Sequence, residues 1–369
     1  MAYGTVNADL IATSTTGGIL GAGNATGFKN RIINGAMMID QRNNGSSITP
    51  TSNGTYGVDR FRLDFSQASK FSMQQNQGSV TPPAGFINYQ GLTSLSAYSS
   101  SSGDYFLFRQ PIEGLNIADL GWGTANAKTV TLSFQVYSSV TGTHSGSLCN
   151  SAQNRSYPFT FTVSSANTWT TISVTIAGDT TGTWLTTNGT GIWVNWNMGC
   201  GSTYLGTAGS WGASAYFGAT GSVSLVGTNG ATFYITGVQL EVGPSASSFE
   251  VRDYGRELIM CQRYYAKLNN DGSGNAVSLG FGVQPSTTQA IVYVKYPVTM
   301  RTEPTCSIYQ TSVSDLTTFD QSATLQTLYA GYSSASVAVT TSAVGAQFRP
   351  AALVINANQA GYLDLSAEL

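Results

Sequence analysis

From Val58 onward the chain alternates apolar residues with small polar ones at period two, in one short segment after another. VDRFRLDF sets Phe61, Leu63 and Phe65 against Arg60, Arg62 and Asp64, and TVTLSFQVYSS sets Val130, Leu132, Phe134 and Val136 against Thr131, Ser133 and Gln135. TTISVTIAG repeats the pattern with Ile172, Val174 and Ile176, and GIWVNWNMG with Ile192, Val194, Trp196 and Met198 against Trp193, Asn195 and Asn197. A period of two is the signature of a strand with one apolar and one wet face, and Gly, Asn and Ser between the segments supply turns. The spacing predicts an antiparallel β-sandwich of the jelly-roll kind.

Only 9% of the residues are charged, while 41% are apolar and 11% aromatic, so hydroxyl and amide groups carry the solubility. That aromatic content separates the chain from a low-complexity one. The net charge of −2 comes from 16 scattered basic and 18 acidic residues, which leaves no electrostatic footprint for nucleic acid or an anionic membrane. The opening MAYGTVNADLIATSTTGG has neither the basic start nor the continuous apolar core of a secretory signal, and no run reaches membrane-spanning length. The expectation is a product made in a cytoplasm, with no membrane insertion. Cys149, Cys200, Cys261 and Cys306 lie far apart without a CxxC pair and read as free thiols.

The stretch from Ala231 to Lys267 organises the rest. Phe233 and Ile235 share one parity, and Val238 and Leu240 the other, so the apolar face switches at Gly237 as it does at a β-bulge. After Gly243-Pro244, Asp253 precedes Leu258, Cys261 and Tyr265 at helical spacing, which predicts a short amphipathic helix with Asp253 as N-cap. PIEGLNIADLGWG predicts one or two isolated helical turns, and NNDGSGN a flexible joint. QAIVYVKYPV, VAVTT and AALVIN then supply strands for a second, smaller β-domain. The organisation read from the sequence is all-β throughout: an N-terminal anchoring segment over 1–27, a jelly-roll sandwich over 28–252, a connecting helix over 253–267 and a C-terminal β-domain over 268–369.

FKNRIINGAMMIDQRN, FRQPIEGLNIADLGWGTANAKTVTLSFQV and ATFYITGVQLEVG with SSFEVRDYGRELIMCQRYY carry a resemblance. Together, over roughly residues 28–266, they resemble a module of bacteriophage tail-fibre and other virion appendage proteins, itself similar to the carbohydrate-binding jelly rolls appended to glycanases. The resemblance implies a virion protein assembled in the host cytoplasm. Its N-terminal segment would dock on other virion proteins, its copies would form a homotrimer, and its sandwich would contact host surface polysaccharide. Relatives of this kind hold a structural calcium near their first and last strands, with carboxylates in the last. The corresponding Phe233-Tyr234-Ile235-Thr236-Gly237-Val238 lacks the aspartate, so no cofactor is expected here.

A sugar stacks its C–H face on an aromatic ring while amides and hydroxyls bind its hydroxyl groups. Trp193, with Asn195 and Asn197 beside it, is therefore the favoured glycan contact, and Trp122, Trp184, Tyr204 and Trp211 are further candidates. The single His144 lies in TGTHSGS, which reads as an exposed hairpin loop. Glycan hydrolysis would require paired carboxylates. Asp59, Asp64, Glu113, Asp119, Asp179 and Glu241 are present, but nothing in the sequence pairs them, and no enzyme is expected. The alternative to an adhesive fibre is a capsid decoration, head-fibre or tail-adaptor protein with a purely structural role.

Overall fold

A computed structural model describes residues 29–269, 275–315, 320–342, 346–357 and 360–369. The anchoring segment and most of NNDGSGN lie outside the described residues. In chain order the first strands are β1 (Thr55–Tyr56), β2 (Arg62–Phe65), β3 (Phe71–Gln75), β4 (Gln90–Ser94), β5 (Phe106–Glu113), β6 (Val130–Ser138) and β7 (Gly142–Asn150). There follow β8 (Ser156–Val163), β9 (Thr170–Ile176), β10 (Thr190–Asn197), β11 (Leu205–Gly206), β12 (Gly218–Ala219) and β13 (Thr232–Val242). Two antiparallel sheets of order β1-β2-β5-β10-β7-β8 and β3-β4-β13-β6-β9 form the sandwich, and β11 pairs with β12 in a small flap. The structure is the all-β jelly roll that the alternation predicts.

The inward positions of both sheets meet in one buried cluster that includes Phe61, Leu63, Phe108, Leu132, Phe134, Phe161, Trp196 and Phe233. Phe134 meets Trp196 edge-on at 5.7 Å, an arrangement that adds ring electrostatics to area burial. PIEGLNIADLGWG forms two 3₁₀ turns, Gly114–Asn116 and Ala118–Leu120. His144 is not in a loop. It lies buried within β7, with Nε2 2.9 Å from the Val140 carbonyl, and burial lowers its pKa.

The bulge forms where the parity switches. β13 slips register against β6 between Thr236 and Gln239, and Gly237 has φ 63°. Phe233, Ile235, Val238 and Leu240 are consequently all buried. The extra residue admits residues 29–35 alongside: the Arg31 N–H donates to the Leu240 carbonyl and the Val238 N–H to that of Gly35, both at 2.9 Å.

The helix α1 (Tyr254–Gln262) is capped by Asp253, whose carboxylate accepts from the Arg256 N–H at 2.9 Å. It stops before Tyr265, which the spacing puts on the helix. Tyr265 instead opens β14 (Tyr265–Asn269), the first strand of the second β-domain. That domain continues with β15 (Val277–Ser286), β16 (Gln289–Lys295), β17 (Thr305–Tyr309), β18 (Ser312–Ser314), β19 (Asp320–Ala330), β20 (Ser334–Thr341), β21 (Pro350–Ile355) and β22 (Tyr362–Ser366). Six of these close a barrel in the order β15-β16-β20-β19-β18-β21, and β14-β22-β17 make a small sheet beside it.

Buried charge fastens the two domains. Glu368, past β22, pairs with Arg60 and, at 3.0 Å, with Arg42 of the sandwich, while the Arg263 and Tyr264 side chains donate to the buried Glu113. Arg42 also faces Asp59 at 3.4 Å. Desolvation by burial outweighs that pairing and the hydrogen bond from Gln41, Glu368 adds a smaller push in the same direction, and the Asp59 carboxyl rises from 3.8 to about 6.

Two outcomes follow from this geometry. At Gly237 an added Cβ would stand 2.6 Å from the Phe86 ring in a left-handed backbone, so Gly237→Ala is expected to cost roughly 1–3 kcal/mol in denaturant unfolding, whereas an unchanged midpoint would refute the bulge. Because the folded state holds the Asp59 proton more tightly than the unfolded chain, this group's contribution to stability falls as pH rises from 3.8 through about 6. The unfolding free energy of wild type minus that of Asp59→Asn should therefore drop by up to about 3 kcal/mol across that range. Parallel pH profiles would contradict it.

Candidate glycan-binding cleft

Trp193, Asn195 and Asn197 face outward from the sandwich, opposite Trp196, as alternation requires. That face is not wet. Trp193 is 7% exposed, Asn197 3% and Asn195 0%. The Arg109 guanidinium lies 3.8 Å from the Trp193 ring centre, with Arg62 at 5.0 Å, and Asp64 bridges the two arginines. Asn195 Nδ2 donates to Ser147 Oγ at 3.0 Å, and Asn197 Nδ2 to Ser145 Oγ at 3.1 Å. The chain from Met198 to Val226 folds back over the sheet and brings Phe217 and β12 onto this face. Gly218 is what permits the approach, since a Cβ there would stand 2.5 Å from the Asn197 amide. Trp193 is thus a packing residue in this structure, and its expected role as an open sugar platform is corrected.

The remaining candidates divide between two places. Trp122, Trp184 and Trp211 close one end of the sandwich edge-to-face, with ring centres 4.7 to 5.4 Å apart. Each indole N–H is held by a backbone carbonyl, those of Lys128, Thr181 and Ala177 respectively. Trp122 and Trp184 are buried, and Trp211 is half-buried. Tyr204 stacks on Phe217 at 4.9 Å.

Between Tyr204 and Trp211 the fold-back opens a cleft of about 320 Å³ lined by Leu205, Gly206, Thr207, Ser210, Gly212, Tyr216 and Thr220. The half-buried Tyr216 ring lies against Gly206 and Gly212, where a Cβ would approach its Cδ2 to 2.6 and 3.2 Å. The loop is fastened to β8. Ser156 exchanges backbone hydrogen bonds with Gly212 at 3.0 and 2.8 Å, and its hydroxyl donates to the Ser214 carbonyl at 2.7 Å. The cleft therefore offers a fixed ring edged by hydroxyls, without charge in its lining. The sequence reading names the flanking Tyr204 and Trp211 and misses Tyr216. The long Gly-rich connection is the only local signal for it.

The carboxylates singled out from the sequence each face a cation. Asp59 faces Arg42, Asp64 faces Arg62 and Arg109, Glu113 faces Arg263, Asp119 faces Arg31 and Asp179 faces Arg155.

No protein-family model matches the chain. No curated protein matches it either. Among solved structures it is similar to the enzymatically active domain of tailspike protein 4 from bacteriophage CBA120, at 13% identity and TM-score 0.32 over 58% of this chain and 21% of that one. It is also similar to a CBM4 module, at 15% identity and TM-score 0.28 over 57% of this chain and 98% of that one. A third likeness is to TmCBM61 in complex with β-1,4-galactotriose, at 10% identity and TM-score 0.29 over 58% of this chain and 100% of that one.

The calcium implied by resemblance does not fit the residues present. Glu241, the carboxylate of β13, accepts from Gln239 Nε2 and the Ser247 N–H on one oxygen, both at 2.8 Å, and from the Ser247 hydroxyl at 2.6 Å on the other. Lys29 Nζ stands 4.0 Å from that second oxygen and donates to the Ser248 carbonyl. A lysine ammonium supplies the positive charge where first and last segments meet. Millimolar calcium or a chelator should leave the thermal midpoint within a degree or so, whereas Lys29→Met should lower it by a few degrees. A calcium-dependent rise in wild type would reverse this assignment.

Proposed function

We propose that the chain is a subunit of a bacteriophage tail fibre or similar virion appendage that adheres to uncharged host-surface glycans without cleaving them. The lining of the cleft carries the adhesive part. Thr207, Ser210, Tyr216 and Thr220 present hydroxyls around one fixed ring, the combination a sugar needs for stacking and hydrogen bonding. Support for binding without hydrolysis comes from the carboxylates. Those that hydrolysis would draw on are engaged with arginine or lysine partners, and none lines the cleft.

The virion assignment rests on the resembling stretches, with the N-terminal segment as anchor to other virion proteins. Self-association has support from the barrel, where Phe281, Val283, Tyr293 and Tyr329 stand 61, 42, 56 and 67% exposed on its outer surface, and the homotrimer is what the resemblance implies. Identical weak sites held on one particle raise avidity without any new contact. The purely structural alternative draws on the Trp193 face, which the chain itself covers and so closes to any ligand.

The test is binding of the purified chain to host cells and to a glycan array, with Tyr216→Ala beside Trp193→Ala. Tyr216→Ala should fold and weaken binding about tenfold. Trp193→Ala should chiefly lose stability, by about 3–5 kcal/mol. A folded oligomer that binds no glycan would favour the structural role, and release of reducing ends would establish a hydrolase.

A further inference from the structure

We infer that Asn188 is a site of self-catalysed deamidation with Arg301 as the catalytic residue. The Gly189 peptide nitrogen attacks the Asn188 carboxamide, and an aspartyl or isoaspartyl residue results at the joint between the two domains.

The sequence holds five Asn-Gly pairs, beginning at Asn34, Asn44, Asn53, Asn188 and Asn229. Glycine after asparagine leaves the next peptide nitrogen unshielded, so these are the places where a main-chain nitrogen most readily reaches a carboxamide. Four of them are held back. Asn34 is fully buried, and its Nδ2 donates to the Ile39 and Asp59 carbonyls at 2.8 and 2.9 Å. The Gly54 and Gly230 N–H groups donate to the Leu63 and Ser94 carbonyls at 3.1 and 2.8 Å. The Gly45 N–H donates to an Asp40 carboxylate oxygen at 2.8 Å, where a negative charge opposes ionisation of the nitrogen.

Asn188 is placed differently. It is exposed in the loop that leads into β10, and the Gly189 N–H meets the Thr187 hydroxyl at 3.4 Å, a long contact that is easily given up. The carbonyl of the same peptide group, that of Asn188, accepts from Arg301 Nη1 at 2.8 Å. Loss of the Gly189 proton moves negative charge onto this oxygen, so the guanidinium stabilises the nucleophilic form of the peptide group. Arg301 is fixed for the task. Its Nε and Nη2 donate to the Ala367 and Glu368 carbonyls, both at 2.7 Å, and its main-chain N–H to the Arg263 carbonyl at 2.8 Å. The Asn188 Nδ2 donates to the Arg301 main-chain carbonyl at 3.3 Å, so both ends of the reacting residue lie against one partner.

The step needs water and no other reactant. The Gly189 nitrogen bonds to Asn188 Cγ and the Cγ–Nδ2 bond breaks, the Gly189 proton passing by way of solvent to Nδ2, which leaves as ammonia. Water then opens the five-membered imide. Opening at Cγ leaves aspartate, which sets a carboxylate against the Arg301 carbonyl where an amide donated. Opening at the main-chain carbonyl leaves isoaspartate, which adds a methylene to the chain just before β10. Both products disturb the contact that Arg301 makes between the sandwich and the last residues of the barrel domain.

The experiment is incubation of the folded full chain in mildly alkaline buffer, followed by peptide mapping with mass spectrometry, in which Asn44, Asn53 and Asn229 serve as internal references. Asn188 should convert first. Arg301→Gln should slow it by about tenfold or more relative to the references, because an opposite charge at this range lowers the pKa of an ionising group by about one unit or more. Arg301→Lys keeps the charge and should restore part of the rate. At Gly189 an added Cβ meets nothing nearer than Leu185 Cδ1 at 3.6 Å, so Gly189→Ala should fold normally and leave Asn188 intact. A joint merely opened by Arg301→Gln would free the loop and speed the reaction, so slowing is specific to the lost charge. Conversion of Asn188 no faster than the references overturns the site, and an Arg301→Gln variant that is not slowed overturns the role of Arg301.

Discussion

The single residue inserted at Gly237 sets the side of everything on β13. Without it, a strand that buries Phe233 and Ile235 would expose Val238 and Leu240, and the central strand of the five-stranded sheet would lose half its inner face. With it, both halves of β13 face the core while Tyr234 and Thr236 stay outside. Tyr234 then stands where it stacks beneath Tyr137. The same kink frees the Val238 N–H to donate to Gly35, which draws residues 29–35 alongside and places Lys29 near Glu241. The domain core, the internal cation and the outer aromatic stack thus depend on one left-handed backbone position.

A chain this poor in charge has used much of its charge inside. Asp59, Arg60, Asp64, Arg109 and Glu113 are buried, and all lie on or near the sheet that meets the second domain. Buried ion pairs give little net stability, because desolvation cancels most of the attraction, yet removing one partner strands the other at high cost. Their effect here is positional. Glu368 reaches two arginines of the sandwich, and Arg301 donates to the Ala367 and Glu368 carbonyls at 2.7 Å, which leaves few alternative seatings for the last residues. The raised pKa of Asp59 is the cost of that arrangement, visible at one residue.

The fold was largely legible because its determinants are local. Period-two alternation, a parity switch at a glycine and an aspartate before a helical repeat each act within a few residues, and the structure places a strand, a bulge and a cap accordingly. His144 was misplaced because TGTHSGS has turn composition. Its small residues serve packing instead: a Cβ at Gly146 would lie 2.2 Å from the Asn195 carbonyl oxygen and 2.5 Å from the Phe159 ring. Trp193 was put on the correct side of its strand, but alternation fixes the side and says nothing about what returns to cover it. That cover is a loop whose β11–β12 pair joins residues thirteen apart. Tyr137 and Tyr234 did leave a trace, as aromatic residues in phase with Thr131, Ser133 and Thr236 instead of with the apolar set. The trace becomes informative only once β6 and β13 are known to be neighbours.

The cleft and the outer face of the five-stranded sheet share a way of holding aromatic rings. Tyr216 rests on glycine backbone in a loop fastened to β8, and Tyr137 rests on Tyr234 with its outer neighbour Trp169 tied to Thr81. Both rings are immobilised, and at the cleft little side-chain entropy remains to be lost on binding. The buried tryptophans do the opposite work: their faces are already taken by arginine, by phenylalanine or by one another, and their contribution goes to stability. For a protein with few charges to steer a partner, rings that are fixed yet open would be an economical means of recognising an uncharged polymer. Occupying such a ring on each of several chains held on one particle turns individually weak contacts into firm attachment.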